Sequence, residues 1–197
     1  MLARGMIGLF AAASLVACVK TEPAEPMGFV APPMQWDHHP EAEEWTESTL
    51  VALSTKDPVL SERVPADIET WCPGYASATV PERRAFWAGL LSAVARYEST
   101  WNEKASGGGG RWIGLMQISP RSAANYGCEA TSPIALKDGE ANLECAVEIM
   151  STQVARDGMV AGAGDRGIGR DWAPLRSEEK RMAMAAWTRA QPYCKAG

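Results

Sequence analysis

The sequence predicts a mainly α-helical domain with at most a small β-hairpin, and three observations support this fold class. Five segments combine helix-start or helix-end signals with apolar residues at helical spacing. The alternation of apolar and polar residues that is typical of strands is scarce. A small hairpin is expected, if anywhere, in the glycine-rich region at residues 107–110. With 197 residues and 46% apolar composition, the chain is long enough to bury one core.

The predicted helices are bounded by residues that suit helix ends. The segment EAEEWTESTLVAL, residues 41–53, predicts the first helix. The longer segment PERRAFWAGLLSAVARYES, residues 81–99, predicts the second, with Pro81 in its first turn, where the missing N–H does no harm. The other three helices are predicted from capping residues: Ser119 for a short helix ending at Gly127, Asp138 for a helix ending at Gly158, and Ser177 for a helix ending before Pro192.

Composition and motifs argue against nucleic-acid binding and against cofactor chemistry. With a formal net charge of −5, the chain lacks the excess of basic residues that nucleic-acid binding requires. His38 and His39 have no cysteine or carboxylate at metal-ligand spacing, so no metal site is expected. The GxGxxG match at residues 162–167 follows a helix rather than a strand, so it is interpreted as a loop. We therefore expect no metal and no organic cofactor.

Residues 1–17 predict a secretory signal peptide, because an arginine-flanked start precedes an apolar stretch too short to span a bilayer. The Leu-Val-Ala-Cys sequence that ends at Cys18 resembles the bacterial lipoprotein box, in which the cysteine receives lipid. Lipidated Cys18 is expected to anchor the protein to a membrane in the periplasm. Val19 resembles the pattern that is retained at the outer membrane. An ordinary signal peptide with a chance cysteine at the junction is the alternative.

Residues 18–44 are predicted to be the lipidated cysteine and a flexible tether. The stretch 19–40 contains five prolines and no sustained apolar period, which is typical of an extended linker. The folded domain is accordingly expected over residues 45–197.

Four cysteines remain once Cys18 is set aside, and an even number in an exported chain predicts two disulfides. The sequence permits three pairings. Cys128 with Cys145 and Cys72 with Cys194 are favoured, because the first pair closes a short segment and the second ties the C-terminus to the start of the domain. Four reduced cysteines in the core are the alternative, which the export signal disfavours.

A carboxylate at the end of the long predicted helix is a candidate general acid. At 100° per residue, Glu98 lies within about 40° of Trp87, Leu91 and Val94, whereas Arg96 lies opposite Trp87. Apolar surroundings and the negative end of the helix dipole both disfavour the charged form of Glu98. The sequence therefore predicts a raised pKa, which suits an acid that works near neutral pH. A frayed last turn with Glu98 in water is the alternative.

Three features together resemble the soluble lytic transglycosylase (SLT) domain, a lysozyme-like fold that cleaves peptidoglycan. They are the Glu98-Ser99 pair, the Gly-Leu-Met-Gln-Ile sequence at 114–118, and Asn142 at the opening of a helix. The resemblance covers roughly residues 85–190 and is closest over 97–150. It implies a lysozyme-like fold and, as the partner, the glycan strands of peptidoglycan.

The resemblance implies that Glu98 protonates the oxygen between N-acetylmuramic acid and N-acetylglucosamine and then accepts the proton of the muramoyl C6 hydroxyl. The product is a 1,6-anhydromuramoyl end, and the intramolecular attack needs no second carboxylate, unlike hydrolysis. Ser99 is expected to orient Glu98, and Trp112 and Trp187 are candidates for stacking against sugars. The predicted substrate-binding residues are Ser99, Trp112, Gly114, Met116, Gln117, Trp187 and Thr188.

The sequence departs from the family near its end. Many members carry Ala-Tyr-Asn-Ala-Gly where this chain has Ala-Trp-Thr-Arg-Ala at residues 186–190. Thr188 does not duplicate both hydrogen-bonding ends of an asparagine amide, which puts substrate contacts in doubt. Two alternatives therefore remain open: a lysozyme-like hydrolase, and a peptidoglycan-binding lipoprotein without catalytic activity.

Overall fold

The computed structural model describes residues 31–195, and over this range the chain is mainly helical with one two-stranded antiparallel sheet. The seven α-helices of the described range are α1 (Ala42–Ser54), α2 (Asp57–Leu60), α3 (Ile68–Trp71), α4 (Val80–Glu98), α5 (Pro120–Tyr126), α6 (Gly139–Asp157) and α7 (Glu178–Ala190). The strands are β1 (Ser106–Gly107) and β2 (Trp112–Ile113). The predicted fold class is confirmed.

All five helices predicted from the sequence form, with the predicted ends. Thr79 and Glu82 make a capping box at the start of α4, where the Glu82 carboxylate accepts the Thr79 backbone N–H at 2.7 Å. Asp138 caps α6 by accepting the Ala141 N–H at 3.0 Å. Gly127 ends α5 in a left-handed conformation with φ 74°. The short helices α2 and α3 were not predicted, because four residues carry too little periodicity to detect.

Helix α4 is the central element of the domain. Residues 85–95 are all buried, because α1 and α7 both pack against this helix. Its burial extends nearly all round, which is wider than the single apolar face inferred from the sequence. Arg96 is exposed, in agreement with its predicted direction. The first residues that emerge from the core at the C-terminal end of α4 are therefore Arg96, Tyr97 and Glu98.

The predicted tether is too long at its C-terminal end. Met34 and Trp36 are buried, and the Trp36 indole N–H donates to Thr46 Oγ1 at 2.9 Å. Trp36 also packs edge to face against Trp45, with ring centres 5.9 Å apart. Apolar burial outweighs the local proline signal, so the domain includes residues 31–44. The predicted signal peptide and Cys18 lie outside the described residues.

Both favoured disulfides form. Cys72 at the end of α3 pairs with Cys194, and Cys128 after α5 pairs with Cys145 in α6, with Cα atoms 4.6 and 5.1 Å apart. The shorter bridge has a sequence separation of 17 residues, for which loop closure contributes about 3 kcal/mol to the free energy of unfolding. Within residues 31–195, no helix has the length and apolar content needed to cross a membrane.

Candidate active site

Glu98 is the last residue of α4 and its side chain is half-buried. Burial raises the pKa of Glu98 from its usual 4.5 to about 7, although the positive charges of Lys180 and Arg176 act in the opposite direction. None of the described residues donates a hydrogen bond to its carboxylate. Glu98 can therefore hold a proton at a pH near neutrality and release it with little change in energy, as a general acid and base must.

The turn after Glu98 is strained and is held by a tryptophan. Thr100 and Trp101 both have positive φ, 53° and 57°, which non-glycine residues rarely adopt. The Trp101 indole N–H donates to the Ser92 carbonyl at 2.9 Å, and the ring packs against His38 at 4.7 Å. This turn reverses the chain directly behind Glu98 and sends it towards the glycine-rich hairpin.

Glu98 lines an open cleft with a volume of about 310 Å³. A smaller pocket continues from this cleft past Ile118 to Ser119 and Ser122, and the two have four lining residues in common. The residues that line the cleft at Glu98 are Glu98, Trp112, Gln117, Asp171, Trp172, Ala173 and Arg176. The structure thus brings Glu98, Trp112 and Gln117 together, as the sequence predicts, and adds a second wall from residues 171–176.

Asn142 holds the segment 113–116 beside Glu98. Its buried amide accepts the Met116 N–H at 2.8 Å and donates to the carbonyls of Ile113 at 3.0 Å and Leu136 at 2.9 Å. Gly114 has φ 78°, and a Cβ there would overlap both the Asn142 amide and the Leu136 carbonyl. Gly114 is therefore required for close backbone approach to Asn142 rather than for contact with a ligand.

Met116 and Ser99 do not have the predicted contacts. Met116 is fully buried, and its backbone carbonyl accepts the Trp172 indole N–H at 3.0 Å. The Met116 N–H is bonded to Asn142 and is not free for a substrate, whereas the carbonyl, with one donor, keeps a second lone pair. Ser99 Oγ donates to the Ala95 carbonyl at 3.3 Å and makes no hydrogen bond to Glu98, which is the ordinary behaviour of a hydroxyl at a helix end.

Asp171 is a second carboxylate in the cleft, and the sequence reasoning missed it. The Tyr126 hydroxyl donates to its two oxygens at 3.1 and 3.0 Å, and Gln153 Nε2 donates at 2.6 Å. Burial, and then the Asp171 charge, raise the pKa of Tyr126, so this hydroxyl stays protonated and remains a donor. Asp171 follows a short 3-10 helix, Gly167–Arg170, and no motif marks it. No group of three or more His, Cys, Asp or Glu within residues 31–195 is arranged to hold a metal ion.

The model of the Transglycosylase SLT domain family matches residues 78–183 of the chain. The chain belongs to this family. Family membership indicates a transglycosylase-like function that acts on the glycan strands of peptidoglycan, and the lysozyme-like fold agrees with it.

Solved structures with the same fold include Bd0314 DslA in a wild-type form and in a glutamate-to-glutamine variant. The variant is 31% identical to the chain, with a TM-score of 0.76, and the match covers 84% of this chain and 98% of the other. The wild-type form is 30% identical, with a TM-score of 0.76 and coverage of 85% and 100%. No protein with a curated functional description matches the chain.

The departure from the family pattern at residues 186–190 lies away from the cleft. Thr188 is buried, and its hydroxyl donates to the Trp71 carbonyl at 2.7 Å, so it joins α7 to α3. Trp187 packs near Gly89, nine residues before Glu98 and about 13 Å away along α4. Neither residue lines the cleft. The predicted substrate contacts of Trp187 and Thr188 are not found, because this face of α7 packs against the disulfide-linked end of the domain.

Proposed function

We propose that the protein is a lytic transglycosylase that cleaves the β-1,4 bond between N-acetylmuramic acid and N-acetylglucosamine and leaves a 1,6-anhydromuramoyl end. The proposal rests on one observation: the half-buried carboxyl of Glu98 lines an open cleft and has a pKa of about 7. At neutral pH a large fraction of Glu98 is protonated, which an exposed glutamate would not be.

Glu98 acts twice in the proposed reaction. Its carboxyl first gives a proton to the glycosidic oxygen as the bond from that oxygen to the muramoyl C1 breaks. The resulting carboxylate then takes the proton of the muramoyl C6 hydroxyl while its oxygen bonds to C1. The same side chain therefore gives and takes back one proton. Because the attacking hydroxyl already belongs to the substrate, holding it close to C1 provides much of the rate enhancement.

The rest of the cleft supplies the substrate contacts in this proposal. Trp112 is 44% exposed and offers its ring to a sugar face, while the Arg111 guanidinium lies 4.9 Å from the ring centre. Gln117, with φ 48°, lines the same cleft, and its Nε2 donates to the Gly114 carbonyl at 2.9 Å. This bond leaves Gln117 Oε1 to accept a hydrogen bond from a sugar hydroxyl or acetamido N–H.

Hydrolysis is the second candidate function, and Asp171 is the observation that favours it. Lysozyme-like hydrolases use two carboxyl groups, and Asp171 lines the same cleft as Glu98. An anionic Asp171 opposite a protonated Glu98 would suit activation of a water or stabilisation of positive charge at C1. Transglycosylation is preferred because the family is that of the SLT transglycosylases.

Digestion of purified peptidoglycan tests the proposal. The products of wild type and Glu98→Gln are separated and weighed by mass spectrometry. We expect anhydromuramoyl ends from wild type and no turnover by Glu98→Gln. Reducing ends that carry one added water would identify a hydrolase. Binding of wild type to peptidoglycan without any cleavage would identify a non-catalytic wall-binding lipoprotein.

We also propose that the protein is exported and anchored by lipid at Cys18 to the periplasmic face of the outer membrane. The support is the signal-like sequence before Cys18 and the Val19 that follows it. Cells that express wild type or Cys18→Ala are fractionated after labelling with a fatty acid. We expect label and membrane recovery for wild type only; unlabelled wild type would indicate an ordinary signal peptide.

A further inference from the structure

We propose that Arg176 and Lys180 bind the carboxylates of the peptides that branch from peptidoglycan strands, and so select strands whose peptides are negatively charged. This inference rests on the proposed function, because it assigns a specificity contact to the same cleft. The sugars of the strand are uncharged, and its carboxylates lie on the peptides attached to the muramoyl lactyl group.

Both cations lie close enough to Glu98 for their charges to act on its carboxyl. Arg176 lines the cleft together with Glu98, and its Nε donates to the Gly169 carbonyl at 3.2 Å, which fixes the direction of the guanidinium. Lys180 lies in the first turn of α7, with Nζ 5.4 Å from the centre of the Tyr97 ring. Because Tyr97 directly precedes Glu98, the Lys180 charge lies near the Glu98 carboxyl. The attraction of both cations for the Glu98 charge agrees with this placement.

Neither cation has a carboxylate partner within residues 31–195, whereas two nearby charged groups do have partners. Arg170 forms an ion pair with Asp157, with the closest atoms 2.6 Å apart, and the Asp171 carboxylate is engaged by Tyr126 and Gln153. The acidic residues of the same helix turn, Glu178 and Glu179, make no ion pair with Arg176 or Lys180. Both side chains are exposed, and Arg176 Nη1 is not used in a hydrogen bond.

An anion is the ligand that suits this arrangement. A guanidinium whose direction is fixed in the cleft wall and an ammonium beside Tyr97 suit a carboxylate, which they bind by charge-assisted hydrogen bonds. The chain as a whole has a net charge of −5, so it repels a polyanionic substrate unless positive charge is concentrated at the site. Glu98 marks the bond next to the muramoyl sugar, and the peptide branches from that same sugar. The two cations therefore lie near the sugar from which the peptide branches in the proposed complex.

The test compares two forms of one substrate that differ only in charge. Solubilised strands have their amines acetylated, and their carboxylates are then left free or converted to amides. Cleavage is measured at pH 5.5, where Glu98 is protonated even after its neighbouring cations are removed. We expect wild type to have a KM about tenfold lower for the anionic strands, and this preference to weaken as salt is added. The Arg176→Gln/Lys180→Gln variant should lose the preference, so that its KM values for the two substrates become equal.

A variant with the same change of charge at remote sites provides the control. Arg63 and Lys195 are exposed and have no ion-pair partner in the described chain, so Arg63→Gln/Lys195→Gln should retain the preference. Equal KM values of wild type for the two substrates would overturn the inference, as would a preference that survives in Arg176→Gln/Lys180→Gln. Cleavage of neither substrate by wild type would instead refute the proposed enzymatic function.

Discussion

The two walls of the cleft carry the same chemical group in opposite environments. On one wall Glu98 is half-buried and has no hydrogen-bond donor among the described residues, and its pKa rises to about 7. On the other wall Asp171 is exposed and accepts hydrogen bonds from Tyr126 and Gln153. Hydrogen bonds and solvent stabilise a carboxylate, whereas burial without donors stabilises the neutral acid. The difference favours Glu98 as the group that transfers the proton in the proposed reaction.

The largest expected effect comes from removing the acid. Glu98→Gln should lower kcat by about 10³-fold, because an amide cannot transfer a proton. The activity of wild type should fall as pH rises above about 7, when Glu98 loses its proton. Kinetics on solubilised strands between pH 5 and pH 9 measure both. A variant with more than a tenth of wild-type activity would contradict the assignment of the acid to this wall.

The same variant should also change the dependence of stability on pH. The folded state holds the Glu98 proton up to about pH 7, whereas the unfolded chain releases it near 4.5. The contribution of this group to the free energy of unfolding is therefore complete below pH 4.5 and is lost as pH rises through 7. Glu98→Gln does not titrate, so its Tm at pH 8 should equal or exceed that of wild type.

The next largest effect is expected from the residue that positions the first wall. Asn142→Ala leaves the Met116 N–H and the carbonyls of Ile113 and Leu136 without partners, which should lower the free energy of unfolding by about 3 kcal/mol. Displacement of Gln117 should lower kcat/KM about 10²-fold in the folded protein. Urea unfolding and kinetics measure the two changes. Asn125→Ala, at an exposed residue, is the matched control, and equal effects of the two variants would refute the positioning role.

A smaller effect is expected on the second wall. Asp171→Asn keeps the shape of the side chain and removes its charge, so in a lytic transglycosylase kcat should fall less than about tenfold and the anhydro ends should persist. In a two-carboxylate hydrolase the loss should reach about 10²-fold or more. Product masses and kcat from the same digest separate these outcomes. The larger loss would indicate that Asp171 takes part in the reaction.

The smallest effect on activity is expected outside both walls. Thr188→Val removes the donor of the Trp71 carbonyl and should lower the free energy of unfolding by about 1 kcal/mol, with kcat/KM unchanged. Thr152→Val, at an exposed helical residue, is the control and should change neither quantity measurably. A loss of kcat/KM in Thr188→Val without a loss of stability would indicate that α7 contacts the substrate.

The first wall was largely predictable from the sequence because its residues are close along the chain. Glu98, Trp112 and Gln117 lie within twenty residues, and helix geometry together with the family motif relates them. Asp171 and Arg176 lie more than seventy residues from Glu98, in a segment of two short 3-10 helices without capping or periodic signals in the sequence. Only the packing of residues 167–176 against α6 and α7 brings them to the cleft. The burial of Met116 and Thr188 was not predictable in this way, because a motif indicates which residues recur and not whether their polar groups are already bonded inside the fold.

By itself, the sequence determined the five main helices and the candidate acid on α4, and it favoured the cysteine pairing that the structure shows. The helices and the position of the acid follow from local backbone preference, capping and spacing, which act over a few residues. The tertiary structure decided that the domain begins before residue 45, that Thr188 serves the core, and that a second wall with the Asp171 carboxylate and the Arg176 guanidinium faces Glu98. Those outcomes depend on burial and on long-range packing, since the free energy of a side chain is set by the groups that surround it in space.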